Sequence, residues 1–220
     1  MKIKVFISGL IRVPIHRILD ILKEWEGCEI YMFTWTGHPH KQILIKSVTQ
    51  YFEEDTFVSP PTSFTKQLST RSDGLFHMDR FYRMFYGIRY LYDHVKCEDD
   101  DIIVRIRTDV LYQFDKEYLK RELETIGDDY MARENHVGGP EAIIEDWFGI
   151  GKYKIMKKIW CFDSIEDYNN DISSSWNTET VIRKRAERYS KIRYIDQTKC
   201  NAFEFDSSET GYRYVHIGLQ

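Results

Sequence analysis

Asp101-Ile102-Ile103-Val104-Arg105-Ile106-Arg107-Thr108-Asp109 is the stretch from which the rest of this chain is read. Ile102 to Ile106 reads as one strand, apolar except at Arg105, the pattern of a strand covered on both faces. It runs from an acidic turn into Arg107-Thr108-Asp109, and buried charge is costly unless it meets partners. In an open α/β sheet, ligands bind in the crevice beyond the carboxyl ends of the strands. Guanidinium groups and a carboxylate at that place suit a diphosphate and the divalent cation, Mg²⁺ or Mn²⁺, that bridges it. Alternation puts Arg105, Arg107 and Asp109 on one face of the strand or its immediate extension. Asp109 is then the metal candidate, with help from diphosphate oxygens and water, and Arg107 the phosphate contact. A structural salt-bridge cluster would use the same residues.

Working outward, Ile3 to Ser8 reads as a buried first strand, and Ile15, Ile18, Leu19, Leu22 and Trp25 recur at helical spacing. Glu29 to Thr34 is a second strand, and Gln42 to Phe52 is expected to be helical. Met78, Phe81, Phe85, Ile88, Tyr92 and Val95 form the longest helical stripe, which feeds the central strand. This order is that of an α/β protein with a mostly parallel central sheet flanked by helices. Beyond Asp109 the expected elements are helices at Lys116 to Ile126, Tyr153 to Trp160 and Asn177 to Tyr189. Short strands are expected at Tyr130 to Arg133, Arg193 to Ile195 and Tyr212 to Ile217, with a Gly-rich loop at His136 to Pro140. With 220 residues, no repeat and no linker, the chain reads as one domain, residues 1–220, with a ligand-binding half (1–112) and a second half (113–220).

Further candidates follow from which strand ends share an edge. Ser8, Gly9 and Arg12 follow the first strand, so parallel strands bring them to the edge of Asp109. Ser8 and backbone N–H groups there suit a nucleoside and Arg12 the phosphates, unless Ser8-Gly9 is simply a turn. Thr34 and Trp35 end the second strand on the same edge, where Trp35 either walls a base or is a core indole. Arg80 and Arg83, three apart on the long helix, either face the ligand or form a solvated face. Glu145-Asp146 interrupts an apolar run, and Asp146 is the candidate general base, or a helix cap. Glu179 is the reserve for that role. His216, before Gly218, is either a further metal ligand or structural. Asp99-Asp100-Asp101 precedes the strand, which places it on the opposite edge as a solvated turn.

Several function classes recede. The chain has no Gly-x-Gly-x-x-Gly and no Gly-Lys-Ser/Thr phosphate loop, against dehydrogenases and P-loop enzymes. A net charge of −4 gives no general pull toward nucleic acid. Cys28, Cys97, Cys161 and Cys200 are too scattered for a zinc site or a disulfide framework and suit reduced thiols in the cytoplasm. The opening apolar run reads as a strand rather than a signal peptide, and no stretch approaches the ~20 apolar residues of a membrane span.

The blocks Val5-Phe6-Ile7-Ser8-Gly9 with Arg12, Ile30 to Trp35, Tyr82 to Ile88, Ile102 to Asp109 and Asp146-Trp147-Phe148-Gly149-Ile150-Gly151 occur in a meaningful order. In order and spacing they resemble small GT-A glycosyltransferases of capsule, lipopolysaccharide and large-virus gene clusters, including the domain encoded by chlorella viruses. The blocks span about two thirds of the chain by simple inspection of the sequence. The resemblance implies a GT-A fold, a UDP-sugar donor, Mn²⁺ or Mg²⁺, and transfer to a glycan acceptor. One departure matters: the usual Asp-x-Asp is Arg107-Thr108-Asp109 here, so only the last acid matches. The expectation is a metal-dependent hexosyl- or deoxyhexosyltransferase, inverting if Asp146 is the base. The rivals are a nucleotide-sugar hydrolase or nucleotidyltransferase using the same crevice, and a non-catalytic nucleotide-sugar-binding module.

Overall fold

The computed structural model describes residues 1–9, 11, 13–35, 40–54, 78–135, 143–164, 166–167, 170–171, 178–205 and 212–214; side chains at 78–83, 135, 143, 204–205 and 212–214 lie outside this description. Arg12 and His216 therefore fall outside the described residues, as do the Arg80 and Arg83 side chains.

The frame is a seven-stranded sheet in the order β10-β6-β9-β4-β1-β2-β3. Its strands are β1 (Ile3–Ser8), β2 (Glu29–Trp35), β3 (Gln50–Glu54), β4 (Ile102–Ile106), β6 (Tyr130–Ala132), β9 (Phe148–Lys152) and β10 (Ile192–Tyr194). All neighbours pair in parallel except β9, which runs antiparallel to both β4 and β6. That reversal has a consequence for the site: the residues just before β9 arrive at the same edge as the residues just after β4.

Alternation along the strands builds two cores. Val5 and Ile7, Ile30 and Met32, and Ile102, Val104 and Ile106 face one way, beneath α1 (Ile15–Glu24). They also meet a three-stranded sheet formed by β5 (Val110–Phe114), β11 (Cys200–Phe205) and β12 (Tyr212–Tyr214). Phe6, Phe33, Trp35, Ile103, Tyr130 and Ala132 face the other way. There they pack on α3 (Met78–His94), α5 (Tyr153–Trp160) and α6 (Thr178–Tyr189). A continuous apolar strand such as β4 is what two covered faces require. In α1, Ile18, Ile21 and Leu22 are buried, whereas Leu19 lies at the stripe's border, 36% exposed. The helix α4 (Lys116–Thr125) starts where Asp115 accepts a hydrogen bond from the Tyr118 N–H, 3.0 Å, satisfying a donor that the first turn leaves open.

Two expectations change. The helix expected over Gln42 to Phe52 is α2 (Lys41–Ser47) followed by strand β3. Thr49 makes the break: its N–H donates to the Ile30 carbonyl at 2.8 Å, and its hydroxyl accepts from the Ile30 N–H at 2.9 Å. These bonds draw the chain out of the helix and into the sheet. The strand β5 was not expected, and its partner β11 lies some ninety residues downstream, Cys200 opposite Phe114. The short hairpin β7 (Glu134–Asn135) and β8 (Ile143–Ile144) completes the second half.

Glycine is required at one crossing. A Cβ on Gly149 would stand 2.5 Å from the Tyr130 hydroxyl and 2.7 Å from its ring. With no side chain there, Tyr130 lies across β9 and its hydroxyl donates to the Phe148 carbonyl at 3.3 Å.

Candidate active site

The carboxyl ends of β1, β2 and β4 share one edge with the start of β9, and α6 begins beside it. Arg105 pairs in register with Gly149 and is fully buried. Its guanidinium lies 4.4 Å over the Trp160 ring, and its Nη1 donates to the Asp146 carbonyl. Among the described residues, Nε and Nη2 have no hydrogen-bond partner. Burial pulls this guanidinium down to about 10, against the attraction of Asp146. Arg105 therefore does not share an open face with Arg107 and Asp109. It holds the backbone that presents Asp146.

Arg107 and Asp109 stand past the end of β4, at the rim. The Arg107 guanidinium grips both Asp109 carboxylate oxygens, Nε to Oδ1 at 2.8 Å and Nη2 to Oδ2 at 2.5 Å. Nη1 stands 3.9 Å from Asp146 Oδ1, and the group lies 5.4 Å from the Trp147 ring centre. Burial would weaken the Arg107 charge, but Asp109 and Asp146 outweigh it and hold the guanidinium firmly protonated. The Asp109 side chain keeps 15% of its surface exposed, so the pair is neither dry nor remote from solvent.

Asp146 is buried, and its Oδ1 has no hydrogen-bond partner among the described residues. Thr178, at the start of α6, hydrogen-bonds to this carboxylate. Burial raises the Asp146 pKa above the usual range even though Arg107 and Arg105 pull it back. Glu179 sits beside it in the first turn of α6, and burial followed by the Asp146 charge pushes its carboxyl up to about 7. Asp109, Asp146 and Glu179 thus converge from three separate segments. Thr178 was not singled out from sequence, although a Thr-Glu pair opening a charged helix was a usable signal.

A second buried layer supports them. Glu145 accepts from Arg133 Nη1 at 2.5 Å and from the Tyr112 hydroxyl at 3.0 Å, and its N–H donates to the Arg133 carbonyl at 3.0 Å. This ties β5 and the end of β6 to the segment carrying Asp146. Glu145 is consumed in that contact; Asp146 is not.

The remaining candidates sort differently. Gly9 has φ +145°, a left-handed conformation suited to glycine, and a Cβ there would meet Thr108 Oγ1 at 3.3 Å, so the β1 turn packs on the residue beside Asp109. Its N–H donates to the Phe33 carbonyl at 3.3 Å, and Ser8 is buried at the same turn. Thr34 shares a 2.6 Å hydrogen bond with the Tyr51 hydroxyl. Trp35 stacks on Tyr86, 5.6 Å between centres, with Phe33 edge-on, which makes it a core indole rather than the wall of a base site. On the opposite edge, Asp99 and Asp100 are exposed as expected. Asp101 is a correction: it is buried, and it pairs with Lys4 Nζ at 2.9 Å instead of lying in a solvated turn.

Among the described residues, no group of three or more His, Cys, Asp and Glu side chains stands ready to hold a metal ion. The four cysteines are free thiols. No described helix is long and apolar enough to cross a membrane.

No protein-family model matches this chain. No curated protein matches it either. Solved structures do. The glycosyltransferase GlyE of Streptococcus pneumoniae TIGR4 superposes with a TM-score of 0.52 at 12% identity, over 90% of this chain and 46% of GlyE. This chain therefore spans about half the length of GlyE. A putative glucose-1-phosphate thymidylyltransferase from Bacillus anthracis gives 0.54 at 10% identity, over 92% of this chain and 89% of that one. An active-site mutant of LgtC gives 0.52 at 9% identity, over 88% and 73%. At such identities the likeness establishes the fold: an α/β architecture of the GT-A type, shared with nucleotide-sugar transferases.

Proposed function

We propose that this protein is a glycosyltransferase that moves a sugar from a UDP-sugar to a glycan acceptor, with inversion at the transferred carbon. The observation that carries this reading is the meeting of Arg107, Asp109, Asp146 and Glu179 at the carboxyl edge of β4, with Asp146 Oδ1 lacking a hydrogen bond among the described residues. An orphaned buried acceptor beside a guanidinium, in the crevice where α/β sheets bind ligands, marks a place prepared for something else. Residues 1–112 would hold the donor and 113–220 the acceptor.

In this reading Arg107 binds the diphosphate through its planar fork. Asp109 offers hard oxygen donors at a partly exposed rim, the kind of carboxylate with which Mg²⁺ or Mn²⁺ binds alongside substrate phosphates and water. Such a mixed site needs only one or two protein carboxylates, so the lack of a ready trio among the described residues is compatible with it. His216 would add a ligand from outside the described residues. When bound, the cation would offset charge on the departing diphosphate.

The proton of the acceptor hydroxyl falls to the acid pair Asp146 and Glu179. A general base works best when its pKa lies near the operating pH, and Glu179, at about 7, meets that condition. Asp146, between two guanidinium groups and bonded to Thr178, raises Glu179 and orients the pair. In this reading the Gly9 turn, packed on Thr108, would bring the β1 backbone to the donor. A nucleotidyltransferase on the same rim would instead release pyrophosphate, and product analysis separates the two.

The test is a thermal-shift panel of nucleotides and nucleotide sugars with and without Mn²⁺. A ligand of the folded form stabilises it by about 2.7 kcal/mol at a hundredfold excess over its dissociation constant. UDP compounds should stabilise the protein more with Mn²⁺ than without, and Asp109→Asn should erase the difference. No shift with any nucleotide would end this reading.

A further inference from the structure

In the arrangement it now holds, Asp109 shares its carboxylate with a guanidinium that repels any approaching cation. Both of its oxygens accept from Arg107, at 2.8 and 2.5 Å, in the two-pronged geometry that takes one lone pair of each. A divalent ion would have to take those oxygens while meeting the positive guanidinium at close range. Arg107 is also poised to leave: its Nη1 already reaches toward Asp146 Oδ1 at 3.9 Å, and the Trp147 ring lies beside it at 5.4 Å. That ring face can hold a guanidinium without hydrogen bonds. Phosphate offers the same two-oxygen edge as a carboxylate, with more charge.

Resting on the nucleotide-diphosphate reading of this rim, we infer that Arg107 is a gate on the cation position at Asp109, closed in the free protein and opened when a diphosphate takes the guanidinium. The departure from Asp-x-Asp then acquires a role. The first position of the motif, Arg107, closes the last one, Asp109, until donor arrives. Cation and diphosphate consequently bind as a pair, each strengthening the other by the same factor, because coupling between two sites is reciprocal. A free metal ion alone would leave Asp109 untouched.

The experiment titrates Mn²⁺ into the full chain while the electron paramagnetic resonance signal of free Mn²⁺ is followed, with and without saturating UDP. Wild type should take up one Mn²⁺ at least about tenfold more tightly with UDP than without, within the usual range of coupling energies. Arg107→Ala should take up Mn²⁺ without UDP, and the UDP dependence should shrink to a few-fold. Arg107→Lys keeps the charge but not the fork, and should lie between; it serves where the alanine variant does not fold. Asp109→Asn should take up none beyond what UDP itself binds in solution. Wild type that takes Mn²⁺ equally well without UDP overturns the gate, as does UDP binding with no Mn²⁺ uptake. If UDP binds under neither condition, the nucleotide-diphosphate reading fails, and the gate with it.

Discussion

A buried aspartate lies at each edge of the central sheet, Asp101 just before β4 and Asp146 just before its antiparallel neighbour β9, and the two edges treat it in opposite ways. Before β4, Asp101 accepts from the Lys2 N–H at 2.9 Å, from the Glu98 N–H at 3.1 Å, and pairs with Lys4 Nζ at 2.9 Å. Burial alone would raise its pKa, yet these partners bring it down to about 2. At the opposite edge, just ahead of β9, Asp146 is also buried, but among the described residues one of its oxygens lacks a hydrogen bond, and burial raises its pKa. Glu179 beside it rises to about 7. At Asp101 the bonds outweigh burial, and at Asp146 burial outweighs the attraction of Arg107 and Arg105. A carboxylate with partners on both oxygens supports the fold, whereas one left short keeps a cost that a ligand can relieve.

Removing the satisfied group should have the largest effect. Asp101→Ala leaves the Lys4 ammonium buried without its partner, and breaking a buried pair from one side costs about 3–5 kcal/mol. Urea unfolding measures it, and a loss below about 1 kcal/mol would remove the contrast between the two edges. The sign with pH is fixed: the folded pKa lies below the unfolded one, so Asp101 stabilises above the unfolded value and that contribution fades as pH falls toward 2.

Glu179→Gln at the other edge should lower turnover by about a hundredfold while the protein stays folded. The activity limb near pH 7 should vanish with it; a variant that keeps both rate and limb would take the proton away from Glu179. The same substitution carries a smaller signature in stability. The folded pKa lies above the unfolded one, so the wild-type contribution is present below the ordinary carboxyl range and is lost as pH rises through about 7. Glu179→Gln should therefore raise the melting temperature relative to wild type at pH 8 but not at pH 4. The difference is of order 1 kcal/mol after solvent screening. Smallest of all, Asp99→Asn should leave the unfolding midpoint unmoved, since that side chain is exposed although it lies two residues from Asp101.

Much of the frame was legible because it rests on local pattern. Ile102 to Ile106 reads as a buried strand from composition alone, and Phe85, Ile88, Tyr92 and Val95 keep one face of α3 at helical spacing. The edge assignments of Ser8, Thr34 and Asp109 followed from parallel order, and β1 does pair in parallel with both β2 and β4. The misreadings have a shared cause. Thr49 ends α2 through bonds to Ile30 on another strand, and β5 becomes a strand by pairing with β11. Asp101 looked solvated beside two exposed acids, and only Lys4, from a different strand, shows otherwise.

By itself, the sequence determined an α/β sheet with β4 at its middle and the charges of Arg107 and Asp109 lifted beyond that strand's end. Hydrophobic periodicity and strand order act over a few residues, so a linear string carries them. Only the tertiary structure decided that Arg107 closes on Asp109, that Arg105 turns inward to hold the Asp146 backbone, and that Glu179 joins from α6. Those outcomes depend on which charges desolvate together, and the antiparallel entry of β9 and the start of α6 bring them into contact from distant parts of the chain.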